Sequence, residues 1–497
     1  MTNSLRLLGL LGSAGLFALG CNSSPSGGSS PRPIDSTEAT STVNQRVDEL
    51  VGGLADSTAA LDTTDGTTVA TGSIGTALGS SPSCTPAGAT TDTSSTDDAT
   101  KSTTQALDDL LHRVAQESRD HVFRDELVET KDGNQVVYKV DPAAACGSDL
   151  TCVDKLTNNP IRFAVTANTD DSLNVSLLVG EARYNPGTAV LGSKKLSIRA
   201  DLAQALAAIR LFVNPEDQQN LPDHLNGVVQ GSIEKRAEGD FVISSSVLQK
   251  VDLLVGQAKG KPVAVTVLPS DPTTQLTINS VTNTLGYTAA LGAVDVQIAG
   301  AAVCDDTCGS NEQNGTFSGH LGGVNGGVNV TKGAQELTVA GIGLGNDTSF
   351  VALNNDRLGT LDVNANNGRK FSVTFKKTAD GTLVTFDPAL DIKLALMLNK
   401  LSESMRVNMP EWLNDQIFDV MLGGAAKPSV LVPAATCDSY GNSTTKGQLQ
   451  VVTGNLTMSA SSPSTTVSVA AGMCLVAVDG ADSNSNPVSQ LKSAACQ

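Results

Sequence analysis

Ile161-Arg162-Phe163-Ala164-Val165-Thr166-Ala167, the turn text Thr169-Asp170-Asp171-Ser172, and Leu173-Asn174-Val175-Ser176-Leu177-Leu178-Val179 are the residues whose reading decides the fold. Ile161, Phe163, Val165 and Ala167 alternate with Arg162 and Thr166. Leu173, Val175, Leu177 and Val179 resume the same period after the turn. A period of two sends successive side chains to opposite faces, so this stretch predicts a β-hairpin with one wet face.

The same grammar extends in both directions. Upstream, Gln135-Val136-Val137-Tyr138-Lys139-Val140 follows the turn-prone Lys131-Asp132-Gly133-Asn134. Downstream comes a Leu196-Ser197-Ile198 strand, then a helix marked by Leu202, Leu206, Ile209 and Val213, entered at Asp201 and stopped at Asn214-Pro215. Strand text returns at Leu276 and Ile278, at Val294 to Ile298, at Phe371, Val373 and Phe375, and, after an Asp380-Gly381 turn, at Val384 and Phe386. Ile392, Leu394, Leu396 and Leu398 continue it. A second helix is expected after them, with Pro410 and Glu411 in its first turn and Gly423-Gly424 at its end. Gly322-Gly323-Val324-Asn325-Gly326-Gly327-Val328-Asn329-Val330 reads as strand text holding bulges, tight turns or a close backbone approach. Short polar turns between neighbouring strands favour antiparallel pairing, and regular strand-helix alternation is missing. The fold class is therefore mainly β with minor α: antiparallel sheets with a few packed helices, preceded by a disordered N-terminal tether.

Residues 22 to about 42 and 80 to 100 are rich in Ser, Thr, Pro, Gly or Asp, and ordering them would cost chain entropy with little burial in return. Between these tracts Val43, Val47, Leu50, Val51 and Leu54 recur at helical spacing, as do Leu107, Leu110, Leu111 and Val114 beyond them. Both segments are expected to pack, because neither polar face is Lys-rich as membrane-surface helices tend to be. This divides the chain into an export signal (1–20), a low-complexity tether with a short helix (21–105), a β-rich body (106–435) divided near 300–320, and a small disulfide-held C-terminal β unit (436–497). A wholly flexible span from Cys21 to about Ser81 would have a root-mean-square reach of about 40 to 45 Å.

The first residues carry an address. Arg6 precedes Leu7-Leu8-Gly9-Leu10-Leu11-Gly12-Ser13-Ala14-Gly15-Leu16-Phe17-Ala18-Leu19, too short and too Gly-rich to cross a bilayer and matched instead to a signal-peptide core. Ala18-Leu19-Gly20-Cys21 resembles the lipobox of bacterial lipoproteins, with Ala18 standing where Leu is commonest. The resemblance covers residues 1–21 only. It implies cleavage before Cys21, a diacylglyceryl group on its thiol, and usually a further acyl chain on the new N-terminus. At about 0.8 kcal/mol per buried CH₂, two or more chains anchor a protein stably. In lipoproteins of double-membraned bacteria an Asp after the Cys signals inner-membrane retention. Asn22 stands there, which implies a periplasmic or surface-exposed protein on the outer membrane. The most apolar later segment, Leu285 to Val303, has Asp295 near its centre and alternates at Val294, Val296 and Ile298, so it reads as a strand.

Of nine Cys, assigning Cys21 to lipid leaves Cys84, Cys146, Cys152, Cys304, Cys308, Cys437, Cys474 and Cys496, an even set suited to disulfides in an oxidising compartment. Small separations favour Cys146 with Cys152 and Cys304 with Cys308, which leaves one C-terminal Cys to reach Cys84. Cys304-Asp305-Asp306-Thr307-Cys308 lacks the four paired ligands of a structural zinc site and reads as a stapled turn.

Lys and Arg total 33 against 51 Asp and Glu, a net charge of −18, which disfavours nucleic acid because duplex affinity rests on cations displacing phosphate counterions. No His-Glu-x-x-His or Gly-x-Ser-x-Gly is present, and no cofactor is expected. Gly256-Gln257-Ala258-Lys259-Gly260-Lys261-Pro262 is one residue short of a phosphate loop, and Gly341 to Gly345 fails the dinucleotide spacing. Ser489-Gln490-Leu491-Lys492 reads as a frayed C-terminal helix, and Asp362 to Gly368 as a polar turn between strands, with weak calcium binding as its alternative. Four of seven Met lie between 397 and 421, beside Trp412. Met405, Met409, Trp412, Leu413, Ile417, Phe418 and Met421 form a candidate apolar surface, either lidding the core or lining a ligand groove. The expected function is a lipid-anchored, non-catalytic binding or structural module of the envelope, its partner unspecified. The alternatives are a carrier of lipid or another hydrophobic ligand, and an envelope hydrolase using dispersed carboxylates.

Overall fold

The computed structural model describes residues 30–62, 116, 119–120, 122–269, 273–299, 316–331, 336–345, 348–352, 359–397, 416–433, 448–461, 464–481 and 487–496. They are mainly antiparallel strand with a few helices, as expected, and fall into two compact units that meet in sequence between Thr284 and Leu285. That boundary precedes the division expected near 300–320.

The first unit is an antiparallel meander. β1 (Pro31–Arg32) pairs with the end of β4 (Ile161–Asn168), and β2 (Val128–Asp132), β3 (Gln135–Lys139), β4, β5 (Leu173–Val179), β6 (Tyr184–Leu191), β7 (Lys195–Asp201), β8 (His224–Ala237) and β9 (Asp240–Val255) pair in succession. The long β9 carries β10 (Val263–Val267) at its far half and β11 (Thr274–Asn279) at its start. The deciding hairpin forms in the expected register, Ile161 opposite Val179 and Ala167 opposite Leu173. Phe163, Val165, Leu173, Val175 and Val179 are buried, whereas Arg162 and Thr166 are half-buried on the other face.

The apolar face of this sheet is covered by a helix that the low-complexity reading placed partly in a spacer. α1 (Ser36–Val47) passes through a π turn (Asp48–Gly52) into α2 (Gly53–Asp62). Asp35 caps it, its carboxylate accepting from the Glu38 N–H at 2.8 Å. Ala39, Val43, Leu50, Leu54 and Ala55 are fully buried. The expected packing of Val43 to Leu54 therefore holds, but residues 31–42, expected to be spacer, belong to the packed unit. The Thr40 hydroxyl lies 3.0 Å from the Tyr138 hydroxyl, and the Arg46 guanidinium donates to the Leu191 carbonyl at 2.7 Å, so the helix crosses the meander from β3 toward β9. At Gly53 a Cβ would stand 3.1 Å from the Phe241 ring, which is why this turn of the helix can approach the sheet so closely.

Three short helices complete the unit. α3 (Pro142–Cys146) and α4 (Leu150–Asn158) are capped by Asp141 and Asp149 and joined by the Cys146–Cys152 disulfide, Cα atoms 5.6 Å apart. α5 (Leu202–Arg210) is entered at Asp201 as expected, the carboxylate accepting from the Gln204 N–H at 3.0 Å, and ends a few residues before Asn214-Pro215.

The second unit is two facing sheets built from hairpins that alternate between them. β13 (Val294–Ala299) with β14 (Thr316–Leu321), β17 (Ser349–Ala352) with β18 (Gly359–Ala365), β21 (Leu390–Met397) with β22 (Gln416–Gly423), and β25 (Asn455–Ser461) with β26 (Ser464–Ala470) make one sheet, through the pairings β14–β17, β18–β21 and β22–β25. In the other, β12 (Thr284–Leu291) pairs with β15 (Val324–Thr331). β15 continues through β16 (Glu336–Leu344), β19 (Phe371–Lys377), β20 (Gly381–Asp387), β23 (Ser429–Pro433), β24 (Gln448–Thr453), β27 (Met473–Ala481) and β28 (Pro487–Ala495). Each new hairpin pairs with the last but one, so strands distant in sequence lie side by side. Strands from Gln448 onward extend these same ladders, and residues 436–497 are not a separate unit.

The Gly-rich text behaves as expected. β15 carries a register shift between Asn325 and Gly327, and a Cβ on Gly345 would fall 1.7 Å from the Gly322 carbonyl oxygen. Two local expectations fail. Residues 416–423 are strand, not helix. Phe418, Val420 and Leu422 have period two, and cross-strand pairing with Leu394, Ile392 and Leu390 overrides the coincident helical spacing of Leu413, Ile417, Val420 and Met421. Ser489 to Lys492 likewise lie in β28, paired with Val476 to Asp479, and not in a frayed helix.

Candidate functional site

The second unit encloses an apolar interior between its two sheets. Phe371, Val373, Val384, Val430, Val451 and Leu475 of one sheet face Leu422, Leu456 and Val469 of the other, and all are buried. Cross-strand registry makes continuous rows: Leu390, Leu422, Leu456 and Val469 stand opposite one another along one sheet, and Val373 meets Phe386 in the other.

Burial is uneven along these rows. Toward the C-terminal strands the interior is sealed, with Val451 and Val469 at 0 % exposure. Toward the earlier strands the residues on the same faces, Val294, Val296, Leu321, Val339, Ile342 and Leu394, are only half-buried. Apolar surface left in this state is the chemistry of a site for an apolar group.

Of the predicted ligand-surface residues, Met405, Met409, Trp412 and Leu413 lie outside the described residues. Ile417 and Phe418 are consecutive residues of β22, in register with Ala395 and Leu394 of β21. Met421, on the face away from Leu422, is 45 % exposed and stands opposite Asp391 and Thr457. The structure therefore brings Ile417, Phe418 and Met421 together as one strand, not as one helical face.

Among the predicted disulfide residues, Cys146 pairs with Cys152 as expected, and Cys474 pairs with Cys496, Cα atoms 5.0 Å apart. The second bond ties β27 to the chain just past β28. Cys21, Cys84, Cys304, Cys308 and Cys437 lie outside the described residues. Asp362 to Ala365 belong to β18, and the turn after it uses its own amides: Asn364 accepts from the Asn367 N–H at 2.9 Å, and Asn366 from the Asp391 N–H at 2.5 Å. Gln257–Lys259 form a single 3₁₀ turn between β9 and β10. Among the described residues no three or more His, Cys, Asp or Glu are gathered to hold a metal ion, and no helix is long and apolar enough to span a membrane.

One polar arrangement had no signal in the sequence. His320 Nδ1 lies 2.7 Å from Asp295 Oδ1 across β13 and β14, on the face opposite Val294 and Val296. Ser349 of β17 stands next in the same row. These residues are far apart in the chain, and only strand registry aligns them.

No family model, curated protein or solved structure matches the chain.

Proposed function

We propose that this chain is an exported bacterial lipoprotein, cleaved before Cys21, held on the outer membrane by acyl chains on that residue, and serving there as a non-catalytic binding or structural module. The observation that carries the reading is a pair of disulfides, Cys146–Cys152 and Cys474–Cys496, one in each unit, which suits an oxidising compartment outside the cytosol. The lipobox-like Ala18-Leu19-Gly20-Cys21 adds the means of attachment. Intact-mass analysis of the protein from membrane fractions tests it. Loss of residues 1–20 with a diacylglyceryl and acyl mass on Cys21 is expected, and an unprocessed cytosolic chain with free thiols refutes the proposal.

A second reading, a carrier of lipid or another hydrophobic ligand, is favoured by the half-buried interior around Val294, Val296, Leu321 and Ile342. Native mass spectrometry after detergent release separates the two: a bound lipid in stoichiometric amount selects the carrier, and its repeated absence selects the binding or structural module.

A further inference from the structure

Strand direction in the first unit sends a defined set of turns to one end of the meander. β3 leaves the turn at 133–134, β4 and β5 join at 169–172, β6 and β7 at 192–194, β8 and β9 at 238–239, and β11 ends beside β9 at Asn279 opposite Asp240. The chain also reaches the unit at this end. The Thr169 N–H donates to the Ser30 carbonyl at 3.0 Å, Pro31 pairs with Asn168, and the Ile34 N–H donates to the Gly133 carbonyl at 3.1 Å. Arg32 locks the junction through ion pairs to Glu38 at 2.6 Å and Asp171 at 3.6 Å.

Only residues 22–29 separate Cys21 from this junction. Even fully extended they span no more than about 30 Å, and as a loose chain their root-mean-square reach is about 15 to 18 Å. The opposite end of the meander, at Val255, lies the length of the 16-residue β9 further away, about 50 Å.

The junction end also presents an apolar turn tip. There Val281, in the turn beside Gly239, is 72 % exposed, among exposed charges of both signs: Lys131, Lys194 and Arg236 with Asp132, Asp170, Asp171 and Glu238. The distal end is likewise mixed, with Glu181, Glu216 and Asp217 exposed beside Arg183, Arg210, Lys259 and Lys261, so charge does not distinguish the two ends. A headgroup layer admits an apolar turn tip, and the short connection from Cys21 holds this end, rather than the distal one, within reach of it.

We infer that the end of the first unit bearing the turns 133–134, 169–172, 192–194, 238–239 and 280–283 rests against the lipid headgroups of the membrane in which Cys21 is anchored. This rests on the lipid-anchor reading and adds a surface and an orientation to it. The sheet then stands away from the bilayer, with α3, α4 and α5 at its distal end.

The test is lysine acetylation by a membrane-impermeant reagent, read by peptide mass spectrometry, on the mature lipoprotein in vesicles of phosphatidylethanolamine and phosphatidylglycerol. Its comparator is a variant with a long Gly/Ser segment inserted between residues 24 and 25. Lys131 and Lys194 are expected to react at least about 3-fold more slowly in the natural protein than in the lengthened one, and distal Lys261 equally in both. Equal rates at Lys131 and Lys194, or slower modification of Lys261, overturn the orientation. Intact mass of the same samples reports lipid on Cys21 separately. Its absence removes the anchor itself, whereas lipidated protein with unprotected lysines refutes the docking surface alone.

Discussion

Truncating Leu54 to alanine probes whether residues 36–62 are part of the first unit or merely its leash. Leu54 is 0 % exposed on α2, directly after Gly53, whose close approach to the Phe241 ring of β9 brings this turn against the sheet. Leu→Ala at such sites combines lost transfer energy with a residual cavity, for a cost of about 3 kcal/mol or more. In a unit of this size each kcal/mol moves the melting temperature by about 2 to 4 °C, so a drop of about 6 to 12 °C is expected. Thermal unfolding followed by circular dichroism measures it. Hydrogen exchange over 161–179 assigns the loss to the meander, where opening should become easier by the same free energy. Ser41→Ala, on the exposed side of α1, serves as the control and should stay within about 0.5 kcal/mol of the natural protein. If Leu54→Ala behaves like this control, the helix does not contribute to the core and the burial argument is wrong.

Replacing both Cys474 and Cys496 with alanine opens a loop with a sequence separation of 22 and should destabilise the second unit by about 3 kcal/mol on the chain-entropy account, measured by urea unfolding against the untouched disulfide. Tyr138 is held neutral chiefly by burial, its pKa pushed up to about 12 despite the opposing effect of its hydrogen bond with Thr40. Ultraviolet titration should show one phenol ionising near pH 12 that disappears in Tyr138→Phe. Because the folded value lies above the unfolded one of about 10, the associated stability is intact below pH 10 and is lost as pH rises toward 12. Gly345→Ala drives a methyl into the Gly322 carbonyl and should cost at least about 1 to 3 kcal/mol, read as a lowered melting temperature of the second unit.

Much of the local structure was legible because it depends on neighbours in sequence. The period of two at 161–179, the Asp201 cap, the Asp380-Gly381 turn and the Cys146–Cys152 bond each involve residues a few positions apart, where chain geometry leaves few choices. The misreadings fall where local signals tie. At 416–423 helical and strand spacing coexist, and the pairing with β21 and β25 breaks the tie. In the Ser- and Thr-rich flank from 31 to 42, polarity predicted a spacer, yet Ile34, Ser36 and Ala39 are buried because a complementary sheet face exists to receive them.

Sequence alone determined that this chain is strand-rich and antiparallel with few helices, because composition, periodicity and short motifs are properties of adjacent residues. The alternation of hairpins between two sheets, the Asp295–His320 pair, the Cys474–Cys496 bond and the end of the meander at which Ser30 arrives were decided only by tertiary structure. Each depends on which distant strands become neighbours, and that choice is made by burial shared among all of them at once.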